Sequence, residues 1–165
     1  MRALAVLALL VVVVPLLLLA AGRLGLLKGK APSGLGVKDG KLKPPSRTPN
    51  SVSSQAMAWP EGEYASAYAQ IEPLALRGDD TAAMTRLRTL VAAWPGAHIV
   101  EERPDYLRVE FSTRWLRFVD DAEFWLDPAG GVVQVRSSSR LGRKDFGANR
   151  ARIEAIRAKW HTAGT

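Results

Sequence analysis

The residues of this sequence that are best suited to chemistry are three neighbouring carboxylates, Asp120, Asp121 and Glu123. They lie in the stretch RFVDDAEFWLD (117–127), which we predict to be a β-strand. Side chains alternate between the faces of a strand, so Asp121 and Glu123 share one face and Asp120 lies on the other, together with Phe118. Two carboxylates at this spacing are suited to binding a hard cation or to glycosidase-like acid–base work.

The same carboxylates are equally suited to salt bridges. Arg114 or Arg136 of a neighbouring strand would reach the face that Asp121 shares with Glu123. A carboxylate among apolar neighbours requires a buried partner, and we expect Arg140 or Arg150 to pair with Asp120. No further acids converge on this stretch, and the structural role is therefore the favoured interpretation.

A second group of candidates is basic and hydroxyl-bearing, within the stretch RSSSRLGRKDFGANR (136–150). Its candidate ligand-binding residues are Arg136, Ser137, Ser139, Arg140, Arg143, Lys144, Asn149 and Arg150. The stretch leads into a predicted helix, and the free amides at a helix N-terminus attract anions. We predict a site for a phosphate, a lipid headgroup or a cell-wall anion; the alternative is a solvated strand and turn.

Other kinds of site find little support in the composition. The chain has no cysteine and only two histidines, His98 and His161, so we predict neither a zinc site nor any other metal site. It has no G-x-S-x-G nucleophile motif and no Walker-type phosphate loop. We therefore assign no catalytic residue and no cofactor, and we favour a binding protein over an enzyme.

The positive charge of the chain is concentrated next to its hydrophobic start. The formal net charge is +7. Residues 1–50 contain eight lysines and arginines and one acid, whereas residues 51–165 contain 15 bases and 15 acids. Basic residues beside a membrane-bound segment are attracted to anionic headgroups, so we interpret the charge as a membrane feature and expect no nucleic-acid partner.

The N-terminal stretch from Ala3 to Gly22 contains twenty residues without a charge. As a helix it would be roughly 30 Å long, the thickness of the hydrocarbon core of a bilayer. We predict a transmembrane anchor over residues 1–23, with a cleaved signal peptide as the alternative. A basic linker rich in proline and glycine follows over residues 24–50, and a single folded domain is expected over residues 51–161.

Periodicity within the domain predicts a helix, four strands and a final helix. The first helix begins at Asp79 or Asp80 and ends before Pro95. The strands cover residues 97–102, 106–115, 117–127 and 132–140, and a helix capped by Asp145 runs to Trp160 with Phe146 facing inward. We predict an α+β fold: a two-layer domain with an antiparallel, roughly four-stranded meander flanked by two main helices and preceded by the transmembrane helix.

Three stretches together carry a family resemblance: PNSVSSQA (49–56), RFVDDAEFWLD (117–127) and VRSSSRLGRKDFGANRARIEAIR (135–157). From about Gly36 to Trp160 the chain resembles the bacterial and plastid family known as domain of unknown function 1499. The resemblance implies a membrane anchor or export signal followed by one small domain, and it implies no activity. In similar sequences two cysteines stand where this chain has Pro45 and Ser51, so the resemblance implies that this short segment orders the start of the domain.

The location of the domain has two conflicting indications. The basic residues after the apolar stretch favour the cytoplasm, whereas the family's export and its cysteine pair favour an oxidising compartment. We predict a single-pass protein of the inner (cytoplasmic) membrane with the domain on the periplasmic side. Its expected function is that of a binding module for an anionic or amphipathic ligand or a protein partner; a carboxylate-dependent hydrolase and a purely structural envelope component are the alternatives.

Overall fold

The structure is a computed structural model, and it describes residues 2–60, 62–76 and 80–162. In chain order the helices and strands are α1 (Arg2–Arg23), β1 (Ser51–Ser53), α2 (Ser66–Ala69), β2 (Leu74–Ala75), α3 (Asp80–Ala92), β3 (Ala97–Arg103), β4 (Tyr106–Ser112), β5 (Val119–Asp127), β6 (Val132–Ser139) and α4 (Ala148–Thr162). The predicted α+β fold is confirmed. Of the two predicted starts of the first helix of the domain, α3, Asp79 lies outside the described residues and Asp80 is where α3 begins.

The sheet is an antiparallel meander of β3, β4, β5 and β6, as predicted, because short links join consecutive strands. It has six strands rather than about four, since β1 and β2 both pair with β6. These two strands contain three and two residues, too few to show an alternating pattern in the sequence.

The hydrophobic core lies between one face of the sheet and the helices α3 and α4. Phe124 of β5 lies opposite Val135 of β6, and both are buried there. Leu87 of α3 and Ile153 of α4 pack against this face, as their helical spacing predicts. Trp160 ends the inward stripe of α4, and its indole nitrogen donates a hydrogen bond to the carbonyl oxygen of Ala75 at 2.8 Å.

Three aromatic side chains were predicted inside regular elements and lie outside them. Trp115 and Phe118 belong to the β4–β5 connection, where they are 61% and 36% exposed. The backbone nitrogen of Thr113 donates to the carbonyl oxygen of Phe118 at 2.9 Å, and this hydrogen bond closes the connection into a turn that continues neither strand. Arg117, within the turn, has a φ of 57°. Phe146 precedes α4, is 95% exposed and has a φ of 52°, so the prediction that it faces inward was wrong.

The helix predicted at the N-terminus is present as α1, with Pro15 inside it. Among the described residues, however, no helix is both long and apolar enough to cross a membrane. The prediction of a transmembrane helix is corrected on that ground.

The segment before Ser51 lies against the polar face of the sheet, opposite the core. Leu42 is 1% exposed, and its backbone nitrogen donates to the side-chain oxygen of Gln55 at 2.8 Å. Lys38 and Lys41 form a tight turn through two backbone hydrogen bonds. Composition predicts a tether here because apolar side chains are few, but hydrogen bonds to buried polar groups of the sheet hold the segment in place. We call residues 28–47 the covering segment.

Candidate functional site

Each of the three candidate carboxylates of β5 forms an ion pair with an arginine. Asp120 accepts from Nη2 of Arg152 at 2.6 Å, on the core side of the sheet. Asp121 accepts two hydrogen bonds from Arg140, at 2.7 and 2.8 Å, and Glu123 lies 3.4 Å from Nη1 of Arg136 on the adjacent strand. The three ion pairs are therefore Asp120–Arg152, Asp121–Arg140 and Glu123–Arg136.

These partners agree only in part with the expected ones. The pair of Glu123 with Arg136 across adjacent strands is one of the two expected arrangements. Asp120, however, pairs with neither Arg140 nor Arg150, because it faces the helices and its partner Arg152 comes from α4. The signal for this partner was the helical period, which brings Arg152 to the same side of α4 as the buried Asn149, three residues earlier.

Glu123 links the sheet to the covering segment. The side chain is completely buried, and its Oε1 accepts hydrogen bonds from the hydroxyl of Tyr106 at 2.8 Å and from the backbone nitrogen of Gly36 at 2.7 Å. Burial, reinforced by the charge of Glu123, raises the pKa of Tyr106 above its usual range. Both carboxylate oxygens are occupied, since Oε2 faces Arg136. This carboxylate therefore holds structure together and is not available to a substrate.

Arg136 and Arg140 are fixed cations on the polar face. Burial lowers the pKa of Arg136, an effect that the charges of Glu123 and Asp121 oppose, and its Nε donates to the carbonyl oxygen of Pro44 at 3.3 Å. The hydrogen bonds that Arg140 donates to Asp121 hold the pKa of Arg140 above its usual value, and Arg140 also donates to Glu110. The bidentate contact with Asp121 fixes the plane of the Arg140 guanidinium group.

A cleft of about 430 Å³ lies between the covering segment and this polar face. Its lining residues are Lys30, Pro32, Lys43, Pro44, Pro45, Ser46, Arg47, Tyr64, Asp121, Arg136, Ser138, Ser139 and Arg140. Five of them are cations and one is a carboxylate. We call this cavity the basic cleft.

The basic cleft keeps an excess of positive charge after its internal ion pairs are considered. Arg136 and Arg140 are compensated by carboxylates of the sheet, and Arg47 pairs with Glu63 at 3.3 Å. Lys30 and Lys43 have no carboxylate partner among the described residues; Lys43 donates to the carbonyl oxygen of Ser33 at 2.8 Å. Positive groups beside hydroxyls in a recess attract and orient anions.

The basic residues predicted to form one site are divided among three places. Arg136, Ser139 and Arg140 line the basic cleft, although the hydroxyl of Ser139 accepts a hydrogen bond from Nδ2 of Asn149 at 3.0 Å on the helix side of the sheet. Ser137 and Asn149 lie on the helix side of the sheet, where the serine hydroxyl donates to the amide oxygen of Asn149 at 2.6 Å. Lys144 and Arg150 line a pocket together with Phe146, and Arg143 is exposed in the connection that precedes α4.

The helix N-terminus that was expected to attract an anion is occupied by a carboxylate of the chain itself. Asp145 accepts hydrogen bonds from the backbone nitrogens of Gly147 at 3.1 Å and Asn149 at 3.0 Å. Although burial opposes its ionisation, hydrogen bonds from Tyr68 and Asn149 outweigh this effect and hold the pKa of Asp145 below its usual value. An external anion would therefore compete with Asp145 at this position.

The contribution of the covering segment to the basic cleft could not be predicted from the sequence. Lys30 and Lys43 lie in a stretch whose composition predicts a tether, and no local pattern indicates that it returns to the sheet. One available signal was the segment that resembles the family's two-cysteine turn. The backbone nitrogen of Ser46 donates to the hydroxyl of the buried Ser51 at 2.8 Å, so a hydrogen bond closes this loop.

The described residues contain no group of three or more histidine, aspartate or glutamate side chains that is able to hold a metal ion. The three carboxylates of β5 do not form such a group, because Asp120 faces away from Asp121 and each has its own arginine. The polar face is therefore arranged as a set of ion pairs beneath the basic cleft.

Comparisons with known proteins place the chain in one family. No curated protein and no solved structure matches it. A family model described as "Protein of unknown function (DUF1499)" matches residues 41–160, which includes the end of the covering segment, all of the sheet and most of α4. The residues that form the polar face and its ion pairs lie within this match. The chain is therefore a member of the DUF1499 family.

Proposed function

We propose that this protein is a binding module that takes an anionic group, such as a phosphate, sulfate or carboxylate, in the basic cleft. The observation that carries the proposal is the convergence of five cations and several hydroxyls on a recess that is lined by one carboxylate. That carboxylate, Asp121, is already engaged by Arg140. A bound anion would meet cations on the side of the covering segment and on the side of the sheet.

The fixed positions of the two sheet arginines support this proposal. Arg136 and Arg140 are nearly inaccessible to solvent and are held by Glu123 and Asp121, so they lose little conformational freedom when a ligand binds. Lys30 and Lys43 supply the uncompensated charge, and Lys30 is exposed at the rim of the cleft. Two fixed guanidinium groups and two lysine ammonium groups together favour a compact anion.

A carboxylate-dependent hydrolase is not proposed. Hydrolysis of this kind needs one carboxyl group free to transfer a proton and another free to attack or to activate water. Asp120, Asp121 and Glu123 each contact an arginine, and Glu123 is completely buried. If the protein were instead a purely structural envelope component, no anion would bind in the basic cleft.

Calorimetric titration of the full chain in non-ionic detergent tests the proposal. The probes are inorganic phosphate, sulfate, glycerol phosphate and acetate, at low ionic strength because salt screens exposed charges. The decisive variant is Lys30→Ala, which removes an uncompensated cation whose side chain makes no described hydrogen bond. The matched control is Lys38→Ala, an exposed lysine of the same segment outside the cleft lining.

We expect one anion site per chain, and we expect Lys30→Ala to weaken binding by about five- to tenfold, or roughly 1–1.4 kcal/mol. Lys38→Ala should leave the affinity within about twofold of the original, because only long-range charge is lost. The proposal is wrong if none of the four probes binds, or if both lysine variants weaken binding equally. Comparison of the four probes identifies the chemical class of the anion.

We also propose that the protein acts at the inner membrane with its domain on the periplasmic side, which stays a prediction. The family's usual export supports this side, whereas the basic N-terminal segment favours the other one. Protease accessibility of the domain in intact and lysed spheroplasts distinguishes them. Digestion in intact spheroplasts is expected, and protection until lysis would contradict the proposal.

A further inference from the structure

Exposed apolar side chains gather at one end of the sheet. At this end β4 and β6 finish and β5 and β1 begin, since neighbouring strands are antiparallel. The exposed apolar residues of this end and of the chain that leads into it are Leu24, Leu26, Trp115, Phe118, Leu141 and Phe146. We call them the apolar end.

The side chains around the apolar end are basic. The exposed cations of the same segments are Arg23, Lys28, Arg114, Arg117, Arg143 and Lys144. Residues 1–38, 113–119 and 140–144 contain no acid, and the next acid, Asp145, is buried as the cap of α4. This surface therefore combines aromatic rings with positive charge and exposes no carboxylate in these segments.

The helix α1 is continuous with this surface. A Cβ atom at Gly22 would lie 2.6 Å from the carbonyl oxygen of Leu116, so the end of α1 contacts the β4–β5 connection closely. Leu19 and Arg23 of the helix line a small pocket of about 240 Å³ together with Trp115. From Leu9 to Leu18 the leucine and valine side chains of α1 are exposed. Apolar surface thus extends from the helix onto the apolar end.

Two bulky residues at this end have left-handed backbones. Arg117 and Phe146 have φ values of 57° and 52°, a region that is unfavourable for side chains with a Cβ atom. The ring of Phe146 is almost fully exposed, so folding of the domain alone gains little from it. An exposed aromatic side chain on a strained backbone is removed from water only when a membrane or another molecule covers it.

We propose that the apolar end docks on the surface of an anionic lipid bilayer. Trp115 and Phe146 lie at the level of the headgroups, where aromatic rings are favoured, and the surrounding arginines and lysines contact anionic headgroups. The side chains of α1 enter the same lipid surface, and docking does not require the helix to cross it. The charge complementarity favours lipid over a second copy of this chain, whose corresponding end would carry the same positive charge. The proposal does not rest on anion binding in the basic cleft.

Spin labelling of the full chain tests this orientation, because a chain without cysteine accepts a single label. Leu141→Cys places a nitroxide at the apolar end, and Ala129→Cys places one in the exposed β5–β6 turn at the opposite end of the sheet. Each labelled protein is reconstituted into vesicles of phosphatidylcholine with or without phosphatidylglycerol. For each nitroxide, its accessibility to oxygen, which concentrates in lipid, is compared with its accessibility to a water-soluble nickel complex.

With phosphatidylglycerol, the label at position 141 should become accessible to oxygen and protected from nickel, while the label at position 129 stays accessible to nickel. Neutralising Arg114 and Arg117 with glutamine should weaken docking by about 30-fold, at roughly fivefold per cation. Phe146→Gly relieves backbone strain, so it should keep the fold and still reduce docking. Unchanged thermal unfolding of the arginine variant shows that its fold is intact.

Two results would overturn the proposal. One is a label at position 141 that remains accessible to nickel in vesicles containing phosphatidylglycerol, because the apolar end would then face water. The other is a label that is protected from both oxygen and nickel, because contact with protein, such as a second copy of the chain, would then cover this end.

Discussion

Replacing Glu123 by glutamine should destabilise the protein strongly, because it leaves a buried cation without its partner. The amide oxygen of glutamine is able to accept from Tyr106 and from the backbone nitrogen of Gly36, as Oε1 does now. The amide NH₂ group then replaces the oxygen that faces Nη1 of Arg136 at 3.4 Å. Two donors would face each other in a site where Arg136 is 4% exposed.

The expected loss of free energy of unfolding is about 3–5 kcal/mol, the cost of removing one partner of a buried ion pair. The double variant Glu123→Gln with Arg136→Met should be more stable than the sum of the single changes predicts, by about 2 kcal/mol, since the second change removes the unpaired cation. The surface pair Arg47–Glu63 is a control of nearly equal length, 3.3 Å, with both side chains exposed. Arg47→Ala should cost less than about 1 kcal/mol.

Urea unfolding at pH 7, followed by tryptophan fluorescence of the full chain in non-ionic detergent, measures these differences. The m-values must stay constant across the variants for the free energies to be compared. If Glu123→Gln lowers the free energy of unfolding no more than Arg47→Ala does, the carboxylate of Glu123 does not hold Arg136 or the covering segment in place.

Three further predictions concern the backbone and one titrating group. Phe146→Gly should raise the free energy of unfolding by about 1 kcal/mol, because glycine adopts a positive φ without strain; a loss of stability in a thermal melt would contradict this. Gly96→Ala should lower the free energy of unfolding by at least about 2 kcal/mol in the same thermal melt, because the new Cβ would lie 2.2 Å from the carbonyl oxygen of Ser112. Gly40 has a similar φ but open space around it, so Gly40→Ala should lower the free energy of unfolding by only about 1 kcal/mol. The pKa of Asp145 is lowered on folding, so the stability that Asp145→Asn removes should be fully present above the unfolded pKa of 3.8 and disappear as the pH falls through the lower folded pKa. A difference between wild type and Asp145→Asn that persists unchanged to pH 2 in a pH series of urea unfolding would contradict that assignment.

The core of the domain was predictable because its signals are local. The alternation from Leu107 to Phe111 identifies a strand with one buried face, and the spacing of Ile153, Ile156 and Trp160 identifies the inward stripe of α4. The predicted strand bounds were wrong where a hydrogen-bonded turn ends the strand although the alternation of apolar and polar residues continues in the sequence. The alternation through Trp115 is an example, since the chain leaves the strand after Ser112.

The candidate site was only partly predictable because its contacts join distant parts of the chain. The carboxylates of β5 and the arginines of β6 lie on adjacent predicted strands, so the pair Glu123–Arg136 was an available inference. The hydrogen bond from Gly36 to Glu123 spans 87 positions, and a segment of low apolar content carries no periodic signal of where it packs. The basic cleft depends on that packing and therefore required the structure.

Anomalous diffraction from crystals soaked in selenate shows directly where an anion binds to the protein. The soak should use about ten times the dissociation constant measured for sulfate in solution. The binding-module proposal predicts an anomalous peak in the basic cleft, within hydrogen-bonding distance of Arg136 or Arg140 and close to Lys30 or Lys43. An empty basic cleft under these conditions, or a peak only at another position on the surface, would contradict it.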